Sequence, residues 1–596
     1  MHTVARCLSQ KPNQPDAVRN GLATDRSRPA NIKSLALAAL ALWSVLAGVD
    51  ACAAGPEEEL LRQQDRERVL RDQLESRPDV RFQAPTLDEG GNRLPAKESP
   101  CFAINDIRLI GEAAEQFQWA LKAANPEDDP ATGRCLGGAG INMTMKRMQN
   151  AIIEKGYVTT RVLAEAQDLT SGILVLTLVP GRIREIRFAE GTSRRASLWN
   201  AVPANPGDLL NLRDIEQALE NFKRVPTAEA DIQITPAQSA DAKPGESDVV
   251  IKWSQQFPAR VSLSIDNSGS KTTGKYQGNV SLSLDNLLSL NDLFYASLNH
   301  DLGGGESGQR SSKGNTFHYS LPFGYWQLAF TTSEYNYEQS VAGSTQTYQY
   351  RGESRNNELR LSRLLYRDAV RKTTAWGGLW TRSSENFIDD TEIGNQDRRM
   401  AGWQLGLDHR EFIGTSILDL GVAYRRGTGA HDSLRAPEDA LGAGTSRSQI
   451  ISADAQLQVP FTISDQRLRY IGGWRAQWNR TPLVPQDRFS IGGRYSVRGF
   501  DGENILSADR GWTLRNEIGL SLGQTGQELY TGIDYGQVSG QASEFLIGKR
   551  LAGAVLGVRG GYKGLSYDWS VGTPLKKPDG FETANVTSAF TVIWSF

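Results

Sequence analysis

The chain ends in TSAFTVIWSF, residues 587–596, and this stretch does most to decide the fold. In an extended strand the aromatic and apolar side chains of Phe590, Val592, Trp594 and Phe596 fall on one face. An outer-membrane β-barrel needs such a strand, because its last strand meets lipid on one side and pairs with the first strand. We therefore predict a barrel signal here. The alternative is the terminal strand of a soluble sheet.

Length and composition narrow the class of protein. The 596 residues leave room for several domains, hydrophobic residues make up only 39%, and the mean hydropathy is −0.43. Beyond the N-terminal segment, no run reaches the ~20 apolar residues of a membrane-spanning helix. The chain is therefore either soluble or crosses a membrane with strands, of which only alternate residues meet lipid. A net charge of −2 gives no reason to expect nucleic acid as a partner.

The N-terminal segment has the features of an export signal. An apolar run at 34–48 follows Lys33, and the small residues of DACAA come after it. This order predicts an extended n-region and signal peptide over 1–54, with cleavage near Ala53 or Ala54. A membrane anchor is the alternative.

Export bears directly on the four cysteines. Cys7 and Cys52 lie in the removable segment, which leaves Cys101 and Cys135 in the mature chain. In an oxidising periplasm two such residues predict one disulfide, with two free thiols as the alternative.

A polar helix and a linker follow the signal peptide. Residues 57–76 contain neither Gly nor Pro and consist largely of helix formers, so we predict a helix within 55–76. A helix that is polar nearly all round is either solvated or surrounded by water in a space such as a barrel lumen. Four prolines and a Gly-Gly pair then predict an extended linker over 77–100.

Two small domains are predicted next, at 101–180 and 181–254. Each has the order β-α-α-β-β, although the two sequences differ. One helix carries an apolar face made by Leu212, Ile215 and Leu219. The expected helices are 112–124, 142–155, 197–202 and 212–224. The expected strands are 102–110, 158–163, 173–179, 183–188, 231–234 and 249–253.

Residues 255–596 have a different pattern. Long helical signals stop, and alternating segments such as VSLSI at 261–265 and ISADAQLQV at 451–459 are separated by loops rich in Gly, Ser and Asn. This pattern, together with the terminal strand, predicts one large antiparallel barrel. A soluble propeller or sandwich array is the alternative.

Catalytic and metal-binding motifs are absent from the sequence. The five histidines are scattered, none has a metal-ligand spacing, and there is neither a nucleophile elbow nor a phosphate loop. GGAG at 137–140 is interpreted as a turn. We therefore expect no enzymatic activity, no metal and no cofactor.

The segment 488–519 contains the string VRGF, in which Arg498 lies between the apolar Val497 and Phe500. If this loop folds into the barrel, the guanidinium must find an acid. Asp534 in LYTGIDYG lies on a strand, on the face opposite Ile533, and a charged residue of a barrel strand faces the lumen. An ion pair between Arg498 and Asp534 is therefore predicted. An exposed arginine in an outer loop is the alternative.

These strings together resemble a known family. GRYSVRGF with GID is similar to the signature of the two-partner secretion transporters, the TpsB family, which share a superfamily with the barrel assembly factor. SPCFAINDIRLIG and GYVTTRVLAEAQDLTSGILVLTLVPGRI resemble the first POTRA domain of that family. LNLRDIEQALENFKRVPTAEADIQITPA and PGESDVVIKW resemble the second. The cysteine positions are similar to the haemolysin and contact-dependent-inhibition branches.

The resemblance implies a fold and a function. The expected fold is an outer-membrane barrel of about 16 antiparallel strands, with two periplasmic α+β POTRA domains and an N-terminal plug helix. The segment Val497–Arg498–Gly499–Phe500 is the expected gating loop. The expected partners are outer-membrane lipid, the barrel assembly machinery for insertion, and a large exoprotein captured by its N-terminal secretion domain. That exoprotein is a haemolysin, an adhesin or a contact-dependent toxin.

We expect the second POTRA domain to take part in passenger capture, because edge strands accept an extended substrate. The residues expected to do so are Arg213, Glu216 and Glu220, taken to be exposed on the helix, with Asp231 and Ile234 on the strand. The alternatives are an assembly factor that inserts other barrels, which predicts more POTRA domains, and a passive porin, which explains neither these domains nor the helix.

Overall fold

The structure is a computed structural model that describes residues 56–75, 78–82, 93–193 and 195–596. The predicted n-region and signal peptide at 1–54 lie outside the described residues, as do 55 and 76 of the predicted helix and 77 and 83–92 of the predicted linker. In the part of the chain that is described, none of the helices has both the length and the hydropathy of a membrane-spanning helix. Helix α1 covers Pro56–Leu74, close to the predicted bounds.

The first small domain contains a three-stranded sheet in the order β2-β5-β4, with β2 parallel to β5. Helix α3 packs on this sheet through fully buried side chains such as Met148 and Ile152. A separate pair, β1 with β3, closes one side. The elements are β1 Phe102–Ile104, β2 Asp106–Ile110, α2 Leu121–Ala124, β3 Arg134–Leu136, α3 Gly138–Glu154, β4 Arg161–Leu163 and β5 Ile173–Val179.

The second small domain repeats this plan with the sheet order β6-β8-β7. The apolar face of helix α4 packs on the sheet, and Ile215 and Phe222 are 1% exposed. The elements are β6 Arg182–Phe188, α4 Leu212–Phe222, β7 Ala228–Pro236 and β8 Glu246–Gln255. The boundaries between this domain and its neighbours stay predictions.

Four local predictions were wrong. The strand 102–110 breaks at Asn105, and the helix 112–124 is a 3-10 helix, Ala114–Ala120, followed by α2. Residues 197–202 contain a turn at 199–201 in place of the predicted helix, and the Asn200 side chain in this turn donates to carbonyl groups of the barrel. The glycines at 137–140 begin α3, because the Glu98 carboxylate accepts hydrogen bonds from the N–H groups at 137, 139 and 140.

The remaining chain confirms the predicted barrel. Sixteen long antiparallel strands form a closed sheet, to which the two-residue strand β16 adds a short pairing with β15. The strands are β9 Ala259–Asp266, β10 Gln277–Asp285, β11 Leu293–Asp301, β12 Arg310–Phe323, β13 Trp326–Ala342, β14 Thr347–Arg367, β15 Arg371–Ile388, β16 Thr391–Glu392, β17 Arg398–Ile413, β18 Ser416–Thr428, β19 Gln449–Ile463, β20 Gln466–Asn479, β23 Arg510–Ser521, β24 Glu528–Ser539, β25 Arg550–Tyr562, β26 Leu565–Lys576 and β27 Thr587–Ser595. Two short strands, β21 Phe489–Ile491 and β22 Leu506–Ala508, form a separate hairpin.

The C-terminal strand closes the barrel as the sequence suggests. Strand β27 pairs with β9 from Thr591 opposite Asp266 to Ser595 opposite Ser262, and the N–H of Phe596 donates to the carbonyl of Val261 at 2.9 Å. Val592, Trp594 and Phe596 are exposed on the outer face, while Phe590 is half-buried and its ring lies 6.2 Å from that of Tyr276.

The two rims of the barrel differ. The near rim carries short turns at 286–292, 324–325 and 368–370, and it is hydrogen-bonded to the second small domain. The far rim carries long loops, including 267–276 and 480–509. Because consecutive strands alternate direction, the chain enters β9 from the near rim and leaves β27 there.

Candidate functional site: the barrel lumen

The loop at 480–509 folds back against the inner wall of the barrel. The β21–β22 hairpin of this loop forms a small apolar core with β24 and β25, in which Val497 is fully buried and Phe500 is 4% exposed. Gly499 has a φ of 97°, and a Cβ on it would lie 2.5 Å from the carbonyl oxygen of Thr573. Glycine is therefore required where this loop crosses strand β26.

Arg498, the second residue of the VRGF segment, contacts two carboxylates. Its Nε donates to Asp534 Oδ2 at 2.8 Å, its Nη2 to Asp534 Oδ1 at 2.9 Å, and its backbone N–H to Oδ2 at 3.0 Å. Its Nη1 donates to Glu517 on the neighbouring strand. Asp534 is 1% exposed, so this bidentate pair is shielded from water.

Sequence reasoning missed Glu517 and the basic residues behind it. Arg559 Nη2 lies 2.7 Å from Glu517 Oε1, and Arg515 Nε lies 3.7 Å from Asp534 Oδ2. The sequence did contain a signal for these residues, because RNEIG in β23 has charged residues at alternate positions of a barrel strand, which is the pattern of a lumenal face. Arg559 also pairs with Glu528, which in turn binds Arg469 at 2.9 Å, so the network contains three acids and four arginines.

Helix α1 contacts strands on several sides of the barrel. Near its N-terminal end the buried Glu59 accepts from Arg62 at 2.5 Å and from Arg66 at 2.8 Å, and the hydroxyl of Tyr335 on β13 donates to it. Arg62 Nη2 also donates to the carbonyl of Gly502 at 2.6 Å. This last contact joins the helix to the loop that carries VRGF.

The other end of the helix points toward the near rim. Arg71 Nη2 lies 3.3 Å from Glu358 Oε2 on β14, and the Tyr295 hydroxyl on β11 donates to Glu75 at 3.3 Å. On the opposite side, Arg475 Nη1 of β20 lies 3.8 Å from Asp65. Contacts of α1 with β11, β13, β14 and β20 place it across the lumen, where polar side chains suit it. A cavity of about 730 Å³ remains between α1, the inward loop and the wall formed by β9, β10, β26 and β27.

The start of the linker is held where the second small domain meets the near rim. The N–H groups of Val80 and Phe82 donate to Glu220 Oε1 at 2.9 Å and Glu216 Oε1 at 2.7 Å. Arg367, the last residue of β14, binds the same two carboxylates at 2.9 Å each and donates to the carbonyl of Val80. We call this arrangement of residues 78–82, α4 and Arg367 the linker clamp.

The contacts of the linker clamp contradict the predicted exposure of the capture residues on helix α4. Arg213 is 6% exposed, Glu216 is fully buried and the Glu220 side chain is 12% exposed, so the prediction that they are exposed was wrong. Glu216 and Glu220 are covered because the linker and Arg367 pack on the polar side of α4, and Arg213 is buried as the partner of Glu216, at 2.6 Å. Asp231 is exposed and Ile234 is half-buried on β7, an edge strand of its sheet.

Cys101 and Cys135 are joined by a disulfide, with their Cα atoms 5.2 Å apart. The bond lies at the β1–β3 pair of the first small domain. Within the described residues, no group of His, Cys, Asp and Glu side chains is arranged to hold a metal ion.

Family comparison gives this architecture an identity. The family described as "Haemolysin secretion/activation protein ShlB/FhaC/HecB" matches residues 245–560, a POTRA domain of the ShlB type matches 102–181, and a further POTRA domain matches 182–236. The chain belongs to the ShlB/FhaC/HecB family. We call the two small domains POTRA1 and POTRA2 from here on.

Named ShlB/FhaC/HecB relatives cover most of the chain. "Outer membrane transporter CdiB-2" of Burkholderia pseudomallei is 38% identical, over 92% of this chain and 95% of the relative. "Hemolysin transporter protein ShlB" of Serratia marcescens is 23% identical, over 69% of this chain and 72% of the relative. The solved structure of CdiB from Acinetobacter baumannii superposes with a TM-score of 0.79 at 32% identity, covering 91% of this chain and 99% of that one.

The ShlB/FhaC/HecB match confirms the expected class of function. The protein is an outer-membrane transporter that secretes a partner exoprotein in two-partner secretion. Its barrel lies in the bacterial outer membrane and its POTRA domains lie in the periplasm. The near rim is therefore the periplasmic rim, and the far rim faces the cell exterior.

Proposed function

We propose that this transporter secretes a large contact-dependent-inhibition exoprotein, which it recognises in the periplasm through the exoprotein's N-terminal secretion domain. The relative named CdiB-2 is 38% identical over nearly the whole chain, whereas the haemolysin transporter ShlB is 23% identical over 69% of it. This difference favours the contact-dependent class over a haemolysin as the passenger.

We further propose that α1 is a reversible plug. The observation that carries this proposal is the set of contacts between α1 and opposite walls of the lumen, from Tyr335 on β13 to Arg475 on β20. A polypeptide cannot share that space with a helix about 10 Å wide. Ion pairs and hydrogen bonds hold most of the helix, and its apolar contacts are limited to a few side chains, such as Leu60 against Tyr335 and Leu74 against the core of POTRA2. It can therefore leave into water without exposing a large apolar surface.

The VRGF loop and the linker clamp are proposed to act with the plug. Arg62 of α1 contacts the loop at Gly502, so movement of either element affects the other. The linker clamp holds residues within 78–82, only a few positions after α1 ends at Leu74. In this proposal passenger capture by POTRA2 involves Arg213, Glu216, Glu220, Asp231 and Ile234, and the helix residues become available once the linker leaves them.

Other parts of the proposal concern assembly and chemistry. The strand with Phe590, Val592, Trp594 and Phe596 is proposed to be read by the barrel assembly machinery during insertion. Transport needs no cofactor in this scheme, and we assign no catalytic residue.

The test is secretion in a strain that lacks its own two-partner systems. The transporter is produced with the exoprotein encoded beside it or, in a separate arm, with a haemolysin-type exoprotein. We expect the first exoprotein in the medium and the second retained. Export of the haemolysin alone would overturn the choice of passenger, and export of neither, with the transporter correctly inserted, would overturn the proposed function.

A further inference from the structure

An exposed apolar patch lies where POTRA2 meets the periplasmic rim. Trp199 of POTRA2 is 62% exposed, Leu288 in the first periplasmic turn is 59% exposed, and Phe323 at the end of β12 is 53% exposed. The rings of Trp199 and Phe323 lie 5.6 Å apart in an edge-on arrangement. A tryptophan this exposed on a soluble domain is unusual enough to need a partner.

The segment that carries Trp199 is fixed to the barrel. Asn200 is fully buried, and its side-chain amide donates to the carbonyls of Leu290 and Pro322. Asn291 donates from its side chain to the carbonyl of Ser197 at 2.9 Å. Trp199 is therefore held at one place on the rim.

The patch continues the lipid-facing surface of the barrel. Phe323 pairs with Trp326 on β13, and both side chains point outward. The outward residues of β13 beyond Trp326, Leu328 and Phe330, are apolar and exposed as well. Exposed apolar side chains therefore extend to the last residue of β12. The ring of Trp199 packs against Phe323 at this end, and tryptophan is enriched where a membrane changes from hydrocarbon to headgroups.

Positive charges accompany the aromatic rings. The Arg363 guanidinium lies 4.9 Å above the ring of Trp326 and belongs to the outward face of β14. Arg195, which precedes Trp199 in the same segment, is exposed, and its Nη2 donates to the backbone carbonyl of Asn286 at 3.0 Å, which leaves its charge unpaired by that contact. Arginines at this depth place their apolar stems along lipid and their charge among phosphates.

From these observations we infer that Trp199, Leu288 and Phe323 form a membrane foot, through which POTRA2 binds phospholipid of the periplasmic leaflet. Phospholipid is the occupant because the patch is continuous with the lipid-facing wall and combines aromatic rings with arginines. The foot sets the orientation of POTRA2 relative to the membrane as well as to the barrel. This inference concerns lipid alone and is independent of which exoprotein is secreted.

The experiment uses the mature protein, without the predicted signal segment that carries Cys7 and Cys52, in vesicles of phosphatidylethanolamine and phosphatidylglycerol. Cys101 and Cys135 are bonded to each other, so a single introduced cysteine can be labelled selectively with an environment-sensitive dye. The probe positions are Trp199→Cys and Leu288→Cys. The control is Ser239→Cys, which is exposed in the POTRA2 loop whose Gly245 packs on Pro180, away from the rim.

We expect lipid carrying a nitroxide near the headgroup to quench both foot dyes several times more strongly than the control dye, and iodide to quench mainly the control. Equal iodide quenching at all three positions, without lipid quenching, would overturn the membrane foot. Protection of the foot dyes from both quenchers, varying with protein density in the vesicle, would also overturn it and would point to a protein partner. The Leu288 label keeps the test valid if loss of Trp199 disturbs the segment.

Discussion

Arg498 and Asp534 are 36 positions apart in the chain, and the guanidinium of the first makes two side-chain hydrogen bonds to the carboxylate of the second, at 2.8 and 2.9 Å. The backbone N–H of Arg498 adds a third at 3.0 Å. One carboxylate thus holds both the side chain and the backbone of the VRGF segment. Asp534 therefore constrains both the position and the orientation of the loop, and Glu517 adds a second contact to the same guanidinium.

Arg498→Ala should reduce secretion strongly with the barrel still inserted. The change leaves Asp534 and Glu517 without this guanidinium, and breaking a buried pair costs roughly 3 to 5 kcal/mol. Asp534→Ala should have a similar but smaller effect, because Arg498 keeps Glu517. The double variant should show a defect smaller than the sum of the two. Secretion is compared at matched transporter levels.

The control for this pair is Arg435→Ala, an arginine of an outer loop whose side chain is 81% exposed. It should secrete like the wild type. Strictly additive defects in the Arg498 and Asp534 variants would show that the two residues act separately.

Glu59→Gln should loosen the plug. Glu59 is 2% exposed and receives two arginines of α1 and the hydroxyl of Tyr335, so loss of its charge weakens all three contacts at once. In planar bilayers we expect longer and larger open events, approaching those of a variant without residues 57–74. Arg68→Ala is the matched control, because Arg68 pairs with Asp65 of the same helix and its side chain is 36% exposed. Equal conductance of the Glu59 variant and the control would count against a lumenal anchor at this position.

Arg367→Ala should loosen the linker clamp. The arginine binds Glu216, Glu220 and the carbonyl of Val80, so its removal weakens the hold of the rim on residues 78–82. Lys372 still pairs with Asp79 and Glu220 in this variant, so the linker is loosened and not fully released. Trypsin cleavage after Arg81 should then accelerate about tenfold or more, which corresponds to a local loss of about 1.4 kcal/mol. Arg371→Ala serves as the control, since this exposed rim arginine pairs with Glu411 instead. Cleavage at the same rate in both variants would mean that Arg367 does not hold the linker.

Mass mapping of the mature protein without reductant should recover the linked peptides of Cys101 and Cys135. The two residues are separated by 34 positions, and a loop of this size stabilises a folded domain by roughly 3 to 4 kcal/mol in the chain-entropy model. Paired substitution to serine should therefore lower the thermal stability of POTRA1 and leave the barrel unaffected. Two free thiols in the purified protein would contradict this prediction.

Asp129 should make POTRA1 sensitive to acid. The N–H of Leu94 donates to its carboxylate at 2.8 Å, Arg134 lies 2.7 Å away and Arg147 also pairs with it, and these contacts lower the pKa of Asp129. Because the pKa of Asp129 is lower in the folded domain than in the unfolded chain, where it is about 3.9, the ionised carboxylate stabilises the folded domain above that pH. This stabilisation is lost as the pH falls through the pKa of the folded domain. Asp129→Asn should cost about 1 to 3 kcal/mol at neutral pH. Thermal unfolding should show that the difference from wild type shrinks below about pH 4. A constant difference at every pH would refute the assignment.

The class of fold was readable from the sequence because its cause is local. A barrel strand must alternate between lipid and lumen, so the pattern of residues 587–596 and of segments such as 451–459 follows from each strand alone. The polar helix near 57–76 was readable for the same reason, since its composition excludes a dry core. Arg498 was recognisable from the sequence because it is a charged residue between apolar ones. Asp534 was recognisable because it is a charged residue on a barrel strand.

Tertiary structure alone decided which residues meet. Glu517 joins the Arg498 network because β23 pairs with β24, and α3 begins at Gly138 because Glu98, a linker residue 39 to 42 positions earlier than the N–H groups it binds, caps it. Glu216 is buried because residues 78–82 and Arg367, which come from distant parts of the chain, cover α4. Periodicity along a segment reports which side chains share a face, but the partner that covers a face is chosen by contacts between segments far apart in sequence.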